Sequence, residues 1–227
     1  MNLLAIDTAT EQCSVAIATN GSIVSREVPT ARSHADMILP MIDALLAEQK
    51  LTLSQIDGIA FGRGPGSFTG VRIAIGVVQG LAFARQIDVA GISNLAAVAQ
   101  QIALTQKLRA QAHVLVCMDA RMQEVYWALY EVQSNGLVRL IGDEQVGNPQ
   151  SVVIGDIDIA IGVGTGWRAY PVLRERFPEL QIDDTLLPRA AEIVLLGQAQ
   201  FEAGLATSAK EAQPVYLRDQ VVALPKA

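Results

Sequence analysis

Histidine and cysteine are almost missing from this 227-residue chain, two of each, and that scarcity excludes several chemistries at once. His34 and His113 stand far apart with no partner at ligand spacing, which rules out a two-histidine metal site on one helix. Cys13 and Cys117 lie in or beside apolar, strand-like runs, so neither a disulfide framework nor a zinc cluster is suggested and each is expected to be a buried, inert thiol. A cysteine nucleophile needs a neighbouring base, which the sequence does not supply. Positive charge is also short: Lys and Arg total 17 against 23 Asp and Glu, for a net charge of −6. A free-standing nucleic-acid binder needs cations to displace condensed counterions, so any RNA served by this chain is expected to be held by something else. Membrane-length apolar runs are lacking too. The longest stretch, Val71 to Ala84, is short of a span and carries Arg72 and Gln79. The first residues have no basic region, and Asp7 cuts their apolar run too early for a signal peptide. A soluble, cytoplasmic protein is expected.

What is present is ample apolar surface: 51% of the residues are hydrophobic and only 18% charged, the composition of a well-packed globule rather than a disordered chain. At about 150 residues per domain, the length fits one large domain or two compact lobes. Aligning the chain with itself favours two lobes. Leu4-Ala5-Ile6-Asp7 and the residues through Ile17 parallel Val116-Cys117-Met118-Asp119 and the residues through Leu129, at an offset of 112 (119 minus 7). Each copy has a strand ending in Asp, a polar turn, a second strand, and a hairpin turn at Asn20-Gly21 or Asn135-Gly136. Each also has a later apolar run, Ile56 to Phe61 or Ile157 to Ile161, that breaks into a glycine-rich turn: Gly62-Arg63-Gly64-Pro65-Gly66-Ser67 or Gly162-Val163-Gly164-Thr165-Gly166.

Between these landmarks, helical periodicity predicts Ser33 to Gln49, with Ser33 as N-cap, then Thr69 or Gly70 to Arg85, Ser93 to Gln106 and about Ala190 to Ala203. The second copy shows no clear helix matching the first of these. The resulting plan is α/β with two βββαβαβα-type lobes, the second abbreviated, as in the actin-like ATPase (ASKHA) fold. Residues 1–108 form the expected N-terminal lobe and 109–227 the smaller C-terminal one, with the last helix (about 190–203) packing back on the first.

Asp7 sits where that plan places the carboxylate that meets magnesium and phosphate. One carboxylate with phosphate oxygens suffices for magnesium, but an Asp at a strand end is as readily a turn former. The Gly62–Gly70 run is the strongest motif. Its glycines allow positive φ and close backbone approach, and the helix start it leads into offers amides to an anion. It lacks the Gly-Lys-Ser/Thr ending of a Walker loop, and a structural turn is the simpler reading. Gly76, Gly80 and Ala84 recur every four residues on the next helix and clear one face, either for the sheet beneath or for another subunit.

Ile6-Asp7-Thr8-Ala9-Thr10, Gly64-Pro65-Gly66-Ser67-Phe68-Thr69-Gly70-Val71-Arg72-Ile73 and Pro214-Val215-Tyr216-Leu217-Arg218 resemble the bacterial TsaB (YeaZ) family, over nearly the whole chain. The resemblance implies an actin-like, two-lobed subunit that works with its paralogue TsaD and the ATPase TsaE to make threonylcarbamoyladenosine beside the tRNA anticodon, meeting tRNA only through the complex. TsaD carries a His-x-x-x-His metal site in the segment equivalent to Gly91–Val98, and its ligand positions fall here on Asn94 and Val98. Valine cannot ligate a metal. The resemblance therefore implies a non-catalytic partner without a metal or other cofactor. The alternative is an actin-like small-molecule kinase or ATPase that uses Asp7 and the glycine turns with ATP or ADP and magnesium. For the partner role, the expected interface is the helix pair 33–49 and 70–85: Met37, Ile38, Met41, Ile42 and Leu45 from the first, Gly76, Gly80 and Ala84 from the second. The same surface is expected to pair with TsaD and, when the chain is alone, with a second copy of itself.

Overall fold

A computed structural model describes residues 1–29 and 34–218. Its first sheet grows from the opening meander, β1 (Leu3–Asp7), β2 (Gln12–Thr19) and β3 (Ser22–Pro29). The β2–β3 hairpin closes through Asn20 and Gly21, both left-handed (φ 50° and 76°), the pairing that a two-residue turn requires. β4 (Gly58–Gly62) and β5 (Asp88–Ile92) add in parallel on the other side of β1, giving the order β3-β2-β1-β4-β5. Every residue of β1 and β4 is buried, which explains why both read as continuous apolar runs rather than alternating ones.

The second sheet contains β6 (His113–Asp119), β7 (Val125–Val132), β8 (Val138–Gly147), β9 (Ile161–Val163) and β10 (Ile182–Asp183), in the order β10-β9-β6-β7-β8. Counted within its own copy, that order is the same as in the first sheet, so the internal repeat is a repeat of topology. Asp7 and Asp119 close the two central strands. β9 is shorter than the run 157–161 suggests and begins four residues later. Ile157 and Ile159 pack on the core around Trp167, but the ladder with β6 starts only at the Val114–Ile161 pair.

The helices are α1 (His34–Glu48), α2 (Phe68–Arg85), α3 (Asn94–Thr105), α4 (Gly166–Ala169), α5 (Pro171–Arg176) and α6 (Ala190–Glu202). Ser67 caps α2 and Ser93 caps α3 through their hydroxyls; Ser33, the expected cap of α1, lies outside the described residues. Between β8 and β9 only a 3-10 turn, Pro149–Ser151, takes the place that α1 holds in the first copy. α1 and α2 cover the face of the first sheet that presents Leu4, Ile6, Ile17 and Phe61. α6 covers the other face, which presents Ala5, Ala16, Ala60 and Ala90. Those small side chains let the helix come close: a Cβ on Gly197 would stand 2.6 Å from that of Ala60.

α3 follows β5 in sequence, yet its Leu95, Val98 and Ile102 pack on Val114, Val116 and Tyr130 of the second sheet. α6 does the converse, following β10 and covering the first sheet. A boundary at residue 108 thus divides the chain but not the layers, since α3 lies before it in sequence and beyond it in packing. α2 is long and apolar enough by composition to cross a membrane, but a third of it is buried against this sheet through Val71, Ala74, Ile75, Val78 and Ala82.

Candidate functional site

A cleft of about 900 Å³ opens between the two sheets. One wall holds the β1–β2 turn (Ala9 to Glu11) and the start of α2. The other holds the end of β6, Met118 to Arg121, with Thr165 and Arg168 from the turn before α4 and from α4 itself. The repeat explains this geometry, because each copy sends a strand end and a glycine turn to the same edge of its sheet.

At the first wall the glycines are required by backbone contact. A Cβ on Gly66 would meet the Ala9 carbonyl oxygen at 2.5 Å, and one on Gly70 would meet that of Thr8 at 2.0 Å. The loop is tied to the turn it touches: Ser67 N–H donates to Ala9 O (2.7 Å) and the Thr8 hydroxyl to Gly70 O (2.7 Å). Ser67 Oγ in turn accepts from Gly70 N–H at 3.2 Å, so one donor of the α2 N-terminus is satisfied within the chain, which supports the structural reading of the motif. In the second lobe, Gly164 (φ 102°) and Gly166 bring their turn equally close to Cys117 O.

Asp7 is not on the cleft. It is completely buried behind the turn, where Oδ1 accepts from Asn94 Nδ2 (2.6 Å) and Oδ2 accepts more weakly from Ala9 N–H (3.3 Å). Asn94 in turn accepts from Gly64 N–H at 2.8 Å, so the pair pins β1, the glycine loop and the start of α3 together. A Cβ on Gly62 would stand 2.0 Å from Asp7 Oδ1, so only glycine lets β4 pack this closely against the Asp7–Asn94 pair. Burial pushes the Asp7 carboxyl up from 3.8 to about 7, with the Asn94 and Ala9 hydrogen bonds opposing the rise. In this fold Asp7 is a buried post of the turn rather than a carboxylate facing the cleft.

Its counterpart Asp119, which sequence reasoning passed over as a site residue, does line the cleft. It accepts from Tyr170 Oη (2.7 Å) and Arg121 N–H (2.8 Å) and pairs with the Arg121 guanidinium at 2.8 Å. Burial first, and then the Asp119 carboxylate as hydrogen-bond acceptor and charge, push Tyr170 up to about 12. The internal repeat, which sets Asp119 at the place of Asp7, is the sequence signal by which it could have been found. His34 also lines the cleft, with its Nε2 buried and without a hydrogen-bond partner among the described residues. Cys13 and Cys117 are free and buried, and burial raises both thiols, Cys13 to about 11. Neither is poised as a nucleophile.

The expected interface divides. Ile38, Met41, Ile42 and Leu45 are buried beneath α1 in the core of the first lobe, and Met37 is half-buried. One apolar stripe cannot face both the sheet and a partner, and the sheet takes it, so those four are corrected to core residues. Gly76, Gly80 and Ala84 are exposed on the outer face of α2, and a Cβ on Gly76 or Gly80 would meet nothing within 4 Å. They are not packing devices against the sheet. Phe83 stands beside them 70% exposed, and Leu39 on α1 is 47% exposed.

Comparison with known proteins agrees with this architecture. A family profile described as "TsaD: tRNA N6-adenosine threonylcarbamoyltransferase" matches residues 17–158. Curated relatives described as "tRNA threonylcarbamoyladenosine biosynthesis protein TsaB" are 39% identical in Escherichia coli (97% of this chain, 96% of the relative) and 42% identical in Haemophilus influenzae (97% and 95%). The solved structure of YeaZ from Pseudomonas aeruginosa superposes with a TM-score of 0.86 at 45% identity, over 95% of this chain and 99% of that one. With two five-stranded sheets of one topology facing across a cleft, and with relatives of this similarity along nearly its whole length, the chain has an actin-like fold and belongs to the TsaB (YeaZ) family.

Proposed function

We propose that this chain is the non-catalytic partner subunit in the biosynthesis of threonylcarbamoyladenosine in tRNA, acting in the cytoplasm by binding and activating TsaD together with TsaE. The observation that carries the reading is the environment of Asn94 and Val98. At the positions where the resemblance places the metal ligands of the paralogue, Asn94 spends its amide on Asp7 and Gly64, and Val98 is fully buried against the second sheet. A side-chain amide committed to these two bonds and a valine sealed in the core support a chain that works without the metal site of its paralogue.

Two further features support a partner role. The outer face of α2 is exposed, smooth at Gly76, Gly80 and Ala84, and carries the exposed Phe83, the composition of a face that another helix covers. The net charge of −6 favours contact with a protein over direct capture of tRNA. In the absence of TsaD, the same face would pair two copies of this chain about a two-fold axis. The alternative, a kinase-like enzyme using ATP and magnesium, draws on the size of the cleft and on Arg121 and Arg168 in its wall, but it loses its carboxylate with Asp7.

The test is reconstitution. TsaD, TsaE, tRNA, threonylcarbamoyl-AMP and ATP are combined with and without this chain, and modified adenosine is quantified. Modification that depends on the chain is the expected result; equal modification in its absence refutes the proposal.

A further inference from the structure

Residues 212–218 belong to no helix or strand, yet they touch both lobes. On the first lobe, the Ala212 carbonyl accepts from Gln79 Nε2 of α2 at 2.9 Å, and Val215 N–H donates to Arg63 O of the glycine loop at 2.9 Å. Tyr216 then joins a stack on the first turn of α2. Its ring centroid lies 5.7 Å from that of Phe68, its hydroxyl accepts from Arg72 Nε at 2.8 Å, and the Arg72 guanidinium lies 3.6 Å over the Phe68 ring. Two residues later the chain reaches the second lobe. Arg218 Nε donates to Glu124 Oε2 at 2.8 Å, Nη2 pairs with the same carboxylate, and Nη2 also donates to the Ala120 carbonyl at 3.1 Å.

The turn that Arg218 grips is unusual. Arg121, Met122 and Gln123 are three consecutive L-residues in the left-handed region, with φ of 60°, 53° and 61°. Each is disfavoured by its own Cβ, and such conformations persist only where the surroundings hold them. Two backbone bonds close the turn, Ala120 N–H to Glu124 O and Glu124 N–H to Arg121 O, both 3.0 Å. Ala120 and Arg121 are also part of the cleft wall.

We propose that Pro214–Arg218 is a strap across the cleft: Tyr216 anchors it on α2, Arg218 latches the 120–124 turn, and the strained turn keeps its place in the cleft wall because the strap holds it. Arg218 is a positioning residue, since it shapes the cleft through the turn without lining it. The fork of a guanidinium is suited to this task, because it bonds a carboxylate and a carbonyl together in fixed geometry.

Amide hydrogen exchange on the full chain tests the strap. In Arg218→Ala, exchange at residues 120–124 is expected to rise at least tenfold, with the amides of β6 and β7 unchanged. Tyr216→Ala is expected to do the same from the opposite lobe, an effect that a merely local Arg218–Glu124 pair cannot produce. Should that variant fail to fold, Arg72→Ala removes the donor to the Tyr216 hydroxyl while leaving the tail intact, and it carries the same expectation. Wild-type protection of the turn when the anchor is removed overturns the proposal. A rise spread evenly over the second lobe also overturns it, because Arg218 would then be a general stabiliser.

Discussion

The buried carboxyl of Asp7 leads to a pH dependence of stability that can be isolated with one substitution. Its pKa stands at about 7 in the folded chain against 3.8 ordinarily, the direction that burial without a cation produces. A group raised on folding adds stability that is fully present below its unfolded pKa and is lost as pH rises through its folded one. For Asp7 the loss begins near pH 4 and is complete above pH 7. The gap is about three pH units, and at about 1.4 kcal/mol per unit it amounts to about 4 kcal/mol. Asp7→Asn removes the titration while keeping an oxygen for Asn94 Nδ2. It turns an amide toward Ala9 N–H, which forfeits that longer bond at a cost of about 1 kcal/mol. Urea unfolding of both proteins from pH 4 to pH 8 gives the difference curve, in which every other titrating group cancels. The variant should be about 1 kcal/mol less stable at pH 4 and about 3 kcal/mol more stable at pH 8. A flat difference, or one that falls with pH, refutes the buried-post reading and returns Asp7 to the candidates for a charged ligand.

Gly80→Leu is expected to stay folded with an unchanged or slightly raised melting temperature, since no atom lies in its way and leucine is the better helix former by up to about 1 kcal/mol, yet to stop co-purifying with TsaD; retained binding moves the interface off this face. Leu45→Ala should cost about 2–5 kcal/mol in urea unfolding and Leu39→Ala less than about 0.5, because the first empties the core under α1 and the second trims its exposed face; similar losses at both sites refute the division of that helix. Calorimetry of the isolated chain with ATP and magnesium should show no micromolar binding, and a micromolar heat abolished by Asp7→Ala would revive the kinase-like alternative.

Much of the architecture was legible in order of sequence. Helical periodicity marked α2 and α3 to within a residue or two, and the Asn20-Gly21 turn marked the first hairpin, because these signals are local and act through the backbone. The offset of 112 residues was a topological statement as well, since a repeated strand, turn and strand leaves little choice of how each copy pairs. The short strand β9 was misplaced because an apolar run records burial without recording whether its backbone meets a ladder.

The site was less legible, for a reason of geometry. Asp7 and Asp119 occupy equivalent places in two copies of one motif, and nothing in their neighbouring residues separates a carboxylate sealed behind a turn from one that faces a cleft. That depends on Asn94, 87 residues away from Asp7, and on Tyr170, 51 residues away from Asp119. The stripe on α1 and the small residues on α2 were equally ambiguous, as periodicity reveals that a face is apolar and not what covers it. By itself the sequence determined the two-lobed fold, the family and the absence of histidine at positions 94 and 98, because composition and residue identity need no partner in space. Only the tertiary structure decided which Asp is buried, which helix face is free, that α3 and α6 cross to the opposite sheets, and that the last residues reach across the cleft, because each of these is set by contacts between segments far apart in the chain.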